Sequence, residues 1–124
     1  MKLMTKELEA QLPRLYATDG LGVDATALAH FMAPYSDMDW YMTEYDPEDR
    51  LGYGAVVTPT TRAQCADGFE WGYFSLDEME TLNSDQRSPL AFVERDTHFE
   101  PASIGELVEE NLRDHEIGLD RDER

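Results

Sequence analysis

Residues 37–57 constrain the fold most, because a strong turn signal joins two runs of alternating side chains. In the first run, large groups alternate between two faces: Met38, Trp40 and Met42 on one, and Tyr41, Thr43 and Tyr45 on the other. "DPED" then predicts a turn in which Asp46 hydrogen-bonds the backbone ahead of it. The second run, "YGAVVTP", is expected to pair antiparallel with the first, and Gly52 and Gly54 indicate a bulge or a close backbone approach.

Two helices are predicted before this hairpin. Thr5 is placed to cap a short helix that ends at Pro13. Asp24 is placed to cap a second helix, ended by Pro34, with an apolar stripe made of Ala27, Leu28, Phe31 and Met32. On this interpretation His30 is a helix-packing residue.

The second half of the chain supplies further strands and helices. "TTRAQCADG" indicates a loop, and "FEWGYF" a strand that runs into a helix capped by Ser75 and Glu78. "LAFVER" (90–95) predicts a fourth strand, and Ser103 with Glu106 caps the last helix. The order ααβββαβα predicts one α+β domain over residues 1–117, with a mainly antiparallel sheet of about four strands and flanking helices. Residues 118–124 are expected to form a frayed acidic tail.

Charge restricts the partners that this chain can have. The 124 residues include 27 acidic and 10 basic side chains, for a formal net charge of −17. Such a chain repels phosphate, so we expect neither direct nucleic-acid binding nor binding to an anionic membrane. The acid indicates either salt adaptation or a surface for a basic partner, and its even spread with only two lysines favours a halophilic protein.

Cysteine content and the N-terminus indicate the compartment. Cys65 is the single cysteine, so no intramolecular disulfide and no paired-cysteine metal site is expected. The first residues, "MKLMTKELEAQL", lack the apolar run of a secretion signal. We therefore predict a cytoplasmic protein.

Three stretches, "PYSDMDWYMTEYDPED", "GYFSLDEME" and "FVERDTHFEP", follow "KLMTKELEAQLPRLYATDG" in an order that resembles the domain of unknown function 2958 family. The matching positions are Trp40, Thr43, Glu44, Gly72, Tyr73, Ser75, Leu76, Glu94, Arg95 and Asp96. The resemblance implies a small single-domain protein of a kind often encoded on plasmids and other mobile elements, beside conjugation or anti-restriction genes. It implies no catalytic residue. The loop "TTRAQCAD" and the surplus of acid depart from the family pattern.

Strand carboxylates are the candidates for chemistry. If strand ends align, Glu44, Glu70 and Glu94 would meet around Arg95, with Asp96 beside them. Such a cluster would hold Mg²⁺ or act in acid–base catalysis, giving a divalent-metal enzyme of unfamiliar type. The alternative is a structural Arg–carboxylate network that fixes strand register. No motif for a nucleotide, a zinc ion or a nucleophilic serine is present, so no cofactor is expected beyond this possible Mg²⁺.

Aromatic side chains on both strand faces are the candidates for binding: Trp40, Tyr41, Tyr45, Trp71 and Tyr73. Most must fill the core, but an exposed patch around Tyr41, Tyr45 and Trp71 would suit a protein interface. The leading hypothesis is therefore a non-catalytic protein-binding module, with an anti-defence decoy that mimics DNA as a narrower form. Formation of a homodimer is a further possibility.

Overall fold

A computed structural model describes residues 2–85 and 91–122, with side chains to residue 116. The helices are α1 (Lys6–Gln11), a 3-10 turn (Gly22–Asp24), α2 (Pro59–Gln64), α3 (Leu76–Ser84) and α4 (Ile104–Asp122). The strands are β1 (Thr26–Ala27), β2 (Ala29–Ala33), β3 (Met38–Asp46), β4 (Leu51–Val57), β5 (Glu70–Ser75), β6 (Glu94–Arg95) and β7 (Ala102–Ser103). Five strands form an antiparallel sheet in the order β5-β4-β3-β2-β6, and β1 pairs with β7. The predicted α+β class is confirmed.

The β3–β4 hairpin forms as the sequence predicts. Asp46 accepts the backbone N–H of Glu48 at 3.0 Å in the turn. The register shifts between Met42, which faces Gly54, and Glu44, which faces Tyr53, so Thr43 is the extra residue of a bulge. A Cβ at Gly54 would lie 1.8 Å from the carbonyl oxygen of Tyr41. The close backbone approach therefore requires glycine at this position.

The second predicted helix is wrong: residues 26–33 form β1 and β2. The alternation of buried Ala29, Phe31 and Ala33 with half-buried His30 and Met32 is that of a strand. In the sequence, the small alanines made the two-residue alternation of a strand hard to recognise, and the apolar residues also fit a helical stripe. Pairing with β3 along its first five residues decides the conformation, because it supplies a complete ladder of hydrogen bonds.

The sheet has a hydrophobic core on each face. One core contains Leu12, Phe31, Met42, Tyr45, Phe74, Leu76 and Met79, with Leu8 of α1 packed against it. The other contains Tyr41, Ala55 and Val57 of the sheet with Ile104 and Val108 of α4. The fold is thus a three-layer arrangement with α1 and α3 on one side and α4 on the other.

Helix starts confirm the predicted N-caps, whereas one connection differs from prediction. Thr5, Ser75 and Ser103 each accept the backbone N–H three residues ahead. For the two serines, this bond is the serine half of the capping boxes predicted with Glu78 and Glu106. The predicted loop after Val57 contains α2, which a reciprocal Thr58–Thr61 capping box begins.

The predicted fourth strand is shorter than residues 90–95, because only Glu94 and Arg95 pair with β2. Residue 90 lies outside the described part of the chain. Helix α4 runs to Asp122 and so includes most of residues 118–124, for which the sequence predicts a frayed tail. Residues 123–124 lie outside the described part of the chain, and fraying of this segment stays a prediction.

We expect Gly54→Ala to lower the free energy of unfolding by more than about 3 kcal/mol, because the added methyl group would overlap the Tyr41 carbonyl. Gly72→Ala is the matched control, since its Cβ would approach nothing closer than Val56 Cγ2, at 3.5 Å. It should change stability by less than about 1 kcal/mol. Urea unfolding of both variants measures the difference, and equal midpoints would contradict the role given to Gly54.

Candidate functional site

The predicted carboxylate cluster is not formed. Glu70 lies on β5 and Glu94 on β6, and these strands are the two opposite edges of the sheet. With about 4.8 Å between neighbouring strands, the two glutamates are separated by roughly 19 Å. Arg95 instead donates to the carbonyl oxygens of Lys2 and Leu3, at 2.7 and 3.1 Å. Within the described residues, no three His, Cys, Asp or Glu side chains are arranged to hold a metal ion.

Glu44 has a separate position and a defined set of partners. Its side chain is buried and accepts the backbone N–H groups of Tyr16 and Thr18, at 2.7 and 2.9 Å, and the Thr18 hydroxyl. Without the bulge at Thr43, Glu44 would share the Met42 face, as the sequence predicted. The bulge turns it to the α4 face, opposite Tyr53. Glu44 therefore anchors the loop that precedes the 3-10 turn.

Three of the predicted binding aromatics belong to the core. Tyr41 and Tyr45 are 6% and 1% exposed, and half-buried Trp40 packs against the core with Met42. The exposed patch predicted around Tyr41 and Tyr45 is therefore wrong. Since β3 is the central strand of five, strands flank both of its edges, and the cores against α3 and α4 cover its two faces. Trp71 and Tyr73, on the edge strand β5, are 37% and 52% exposed.

An aromatic surface forms around Trp71 and Tyr73. We define it as Tyr16, Tyr53, Trp71 and Tyr73. The rings of Tyr53 and Trp71 stack at 5.9 Å with an interplanar angle of 6°, and Tyr53 and Tyr73 lie 4.9 Å apart. Phe69 meets Trp71 edge-on at 5.3 Å. The rings are together because Tyr53 pairs with Tyr73, and side chains at alternate positions of β5 share one face.

The Glu44-anchored loop completes this surface. Tyr16, in the left-handed region at φ 73°, places its hydroxyl near that of Tyr73, and the interaction of the two side chains raises the pKa of Tyr73. Burial raises the pKa of Tyr53, and the negative charges of Glu44 and Asp19 raise it further. A cavity of about 160 Å³ lies between the loop and the rings of Tyr53 and Trp71. The sequence did not single out Tyr53 for binding. The alternation of "YGAVV" was the signal that could have placed its ring on one face of β4.

A second polar site lies between the sheet and α4. His30 Nε2 is 2.7 Å from Asp39 Oδ1, and His30 Nδ1 is 3.0 Å from Asp96 Oδ2. The imidazole also stacks on Tyr41 at 4.7 Å. Burial lowers the pKa of His30, but the hydrogen bonds and charges of the two aspartates outweigh this effect and raise it. The two carboxylates on either side of the ring therefore favour its protonated form.

Asp39 joins His30 to α2 and α4. Its Oδ2 accepts from Asn111 Nδ2 at 2.9 Å and from Arg62 Nη2 at 3.2 Å, while Arg62 Nε donates to Asn111 Oδ1 at 3.0 Å. Burial raises the pKa of Asp39, but these partners and His30 outweigh it and lower the pKa. Asn111 also donates to the Tyr41 hydroxyl, whose pKa burial raises to about 12. We call these five residues, His30, Asp39, Tyr41, Arg62 and Asn111, together with Asp96, the His30 network.

The His30 network borders a cavity of about 350 Å³, which Glu110, Asp114 and His115 of α4 also line. Both ring nitrogens of His30 already have carboxylate partners, so the imidazole cannot act as a base or a metal ligand without breaking one of these bonds. The arrangement holds two strands and two helices together. Local sequence offered no signal for it, since its members lie far apart along the chain.

The fold and the aromatic surface define a small α+β protein with one side of its sheet partly uncovered at the β4–β5 end. The chain belongs to the family described as "Protein of unknown function (DUF2958)", whose model matches residues 3–110. Comparison with curated proteins and with solved structures gave no match. Among the described helices, none combines the length and the apolar character needed to cross a membrane.

We expect Glu44→Gln to lower the free energy of unfolding by about 1–3 kcal/mol, because the amide NH₂ would face one of the N–H donors of the loop. Hydrogen exchange should also speed up at Tyr16 and Thr18. Glu70→Gln, at an exposed position, is the control and should change stability by less than about 0.5 kcal/mol. Equal effects of the two substitutions would contradict the anchoring role.

The His30 network makes stability depend on pH. Because the folded pKa of His30 is raised above 6.5, its contribution is fully present below about pH 6.5 and is lost as pH rises through the folded pKa. We expect His30→Gln to cost about 1–3 kcal/mol near pH 6 and less near pH 9. Denaturant unfolding at constant ionic strength measures this difference. His98→Gln, at an exposed position, is the control for loss of an imidazole outside the network, and a cost for His30→Gln that does not vary with pH would contradict a raised pKa of His30.

Proposed function

We propose that this protein is a non-catalytic binding module that engages a protein partner through the aromatic surface. The observation that carries the proposal is the packing of Tyr53, on β4, against Trp71 and Tyr73 of the edge strand β5, at the end of the sheet that α4 does not cover. Tyrosine and tryptophan anchor protein interfaces because their rings bury large areas at low cost in conformational entropy. Stacking holds these rings in place before a partner arrives, which lowers that cost further.

Charge supports a basic partner. Asp19 borders the cavity beside Tyr53 and Trp71, and Glu70 is exposed at the start of β5. The chain as a whole carries a formal charge of −17. Lysine and arginine side chains of a partner would form ion pairs with these carboxylates and cation–π interactions with the faces of the rings. Nucleic acid would be repelled, so the proposed partner is a protein. We place this interaction in the cytoplasm.

The distribution of acid supports salt adaptation rather than DNA mimicry. Exposed carboxylates occur on α1, at the 3-10 turn, in the β3–β4 turn, on α3 and along α4: Glu7, Asp24, Glu48, Asp49, Asp77, Glu78, Glu106, Glu109 and Glu110. A DNA mimic would gather them in one stripe at phosphate-like spacing. We therefore favour a halophilic binding protein over a decoy, and an association with mobile elements remains part of the proposal.

The divalent-metal enzyme, the other function that the sequence indicated, gains no support from the geometry. Glu70 and Glu94 lie on opposite edges of the sheet, and Glu44, on the central strand, uses both of its oxygens to hold backbone N–H groups. A metal ion at Glu44 would have to displace those donors.

The proposal is tested by affinity capture from a host lysate at the ionic strength of the host cytoplasm, with the double variant Trp71→Ala/Tyr73→Ala beside the wild type. The matched control is Tyr35→Ala, a 66% exposed tyrosine in the β2–β3 turn, away from the aromatic surface. We expect a stoichiometric protein to be retained by the wild type and by Tyr35→Ala, and retention to fall at least about tenfold with the double variant. Equal retention by all three proteins would contradict the proposal.

A further inference from the structure

We infer that the partner contributes an extended basic segment that adds to the sheet as a new strand along the outer edge of β5. This inference rests on the proposed function and specifies how the aromatic surface is used. An added strand gains affinity from backbone hydrogen bonds and specificity from alternate side chains. Three observations support it: the direction of the backbone groups of β5, the absence of edge protection on this strand, and the charge around it.

The register fixes which backbone groups of β5 face outward. Leu76 donates its N–H to the Arg50 carbonyl at 3.0 Å, and Phe74 and Gly72 lie opposite Gly52 and Gly54. Because N–H and C=O groups alternate in direction along a strand, Phe74 and Gly72 also point theirs toward β4. The N–H and C=O groups of Trp71 and Tyr73 therefore point away from β4, on the two residues that carry exposed rings.

The two edges of the sheet differ in their protection against pairing with a further strand. At one edge, β6 has only two residues, and Arg95 ties it to the N-terminal segment. At the other, β5 has six residues, pairs with β4 in an unbroken register and contains neither lysine nor proline. Short strands, bulges, lysines and prolines are the usual protection of an edge against pairing. Their absence from β5 leaves a regular template for one more strand.

Charge selects a basic segment over a second copy of this chain. Two copies would each bring a formal charge of −17, so electrostatic repulsion would oppose the pairing of β5 with β5 of a second copy. A segment with arginine or lysine at alternate positions would place cations over Trp71 and Tyr73 on the aromatic face. On the opposite face it would meet Gly72, where no side chain obstructs it, and the Glu70 carboxylate.

The probe is a capped, fluorescent peptide of about six residues that alternates arginine with valine, matched in length to β5. Its affinity is measured by anisotropy at constant ionic strength. A peptide that alternates glutamate with valine is the charge control. We expect the basic peptide to bind and the acidic one not to, and hydrogen exchange at the Trp71 and Tyr73 amides to slow when the basic peptide is bound.

Two variants at one position separate backbone pairing from ring contact. Tyr73→Ala removes the ring, whereas Tyr73→Pro removes the ring and the outward N–H. Proline is tolerated at an edge where the N–H faces solvent. We expect Tyr73→Pro to bind the peptide about tenfold more weakly than Tyr73→Ala. If Tyr73→Pro fails to fold, a basic peptide N-methylated on one edge replaces it with wild-type protein, and the same loss is expected.

The outcomes distinguish this inference from the proposed function. Equal affinities of the two variants, or unchanged exchange at Trp71 and Tyr73, would show ring contact without strand addition and would overturn the inference alone. Lack of peptide binding, equal binding of the acidic peptide, or a dimer in sedimentation that Tyr73→Pro abolishes would also overturn it. The proposed function fails separately, if capture of a partner does not depend on Trp71 and Tyr73.

Discussion

The bulge at Thr43 is the feature on which the candidate binding surface depends. It lies beside Gly54, whose backbone passes so close to the Tyr41 carbonyl that no side chain would fit there. One extra residue reverses the faces of everything after it in β3. Glu44 then lies on the α4 side, where it binds the loop at Tyr16 and Thr18, and Tyr45 turns into the opposite core. A local backbone irregularity thus positions a carboxylate, the carboxylate positions a loop, and the loop brings Tyr16 to Tyr73.

The His30 network performs the equivalent task at the other end of the same face. Buried charges are costly unless paired, and here His30 and Arg62 balance Asp39 and Asp96 while Asn111 fills the remaining contacts. The network attaches α4 to the sheet at β2 and β3, and α4 also packs on Ala55 and Val57 of β4, which leaves β5 beyond the helix. The uncovered part of the sheet is therefore a consequence of where α4 is held.

These two features give one face of the sheet two environments. Under α4 it carries a hydrophobic core beside the His30 network, in which both ring nitrogens of the histidine have carboxylate partners. Beyond α4 it is open and aromatic, with an edge strand that can pair further. Two copies of a protein with 27 acidic residues repel each other, which opposes self-association through the exposed edge. The same charge would attract a basic partner.

The sequence by itself determined the features that depend on a few neighbouring residues. The hairpin with its turn at Asp46, the close approach at Gly54, and the helix starts at Thr5, Ser75 and Ser103 all arise from local backbone geometry and local hydrogen bonds, so their signals are complete in a short window. The α+β class followed from the same patterns.

Only the tertiary structure decided what depends on pairing and strand order. Residues 29–33 are a strand because β3 offers them a ladder, although their apolar spacing also fits a helix. Glu70 and Glu94 are far apart because β5 and β6 are opposite edges, and Tyr41 and Tyr45 are buried because β3 is central. Long-range pairing sets strand order, and strand order sets burial, so no local pattern could distinguish the buried aromatics of β3 from the exposed ones of β5.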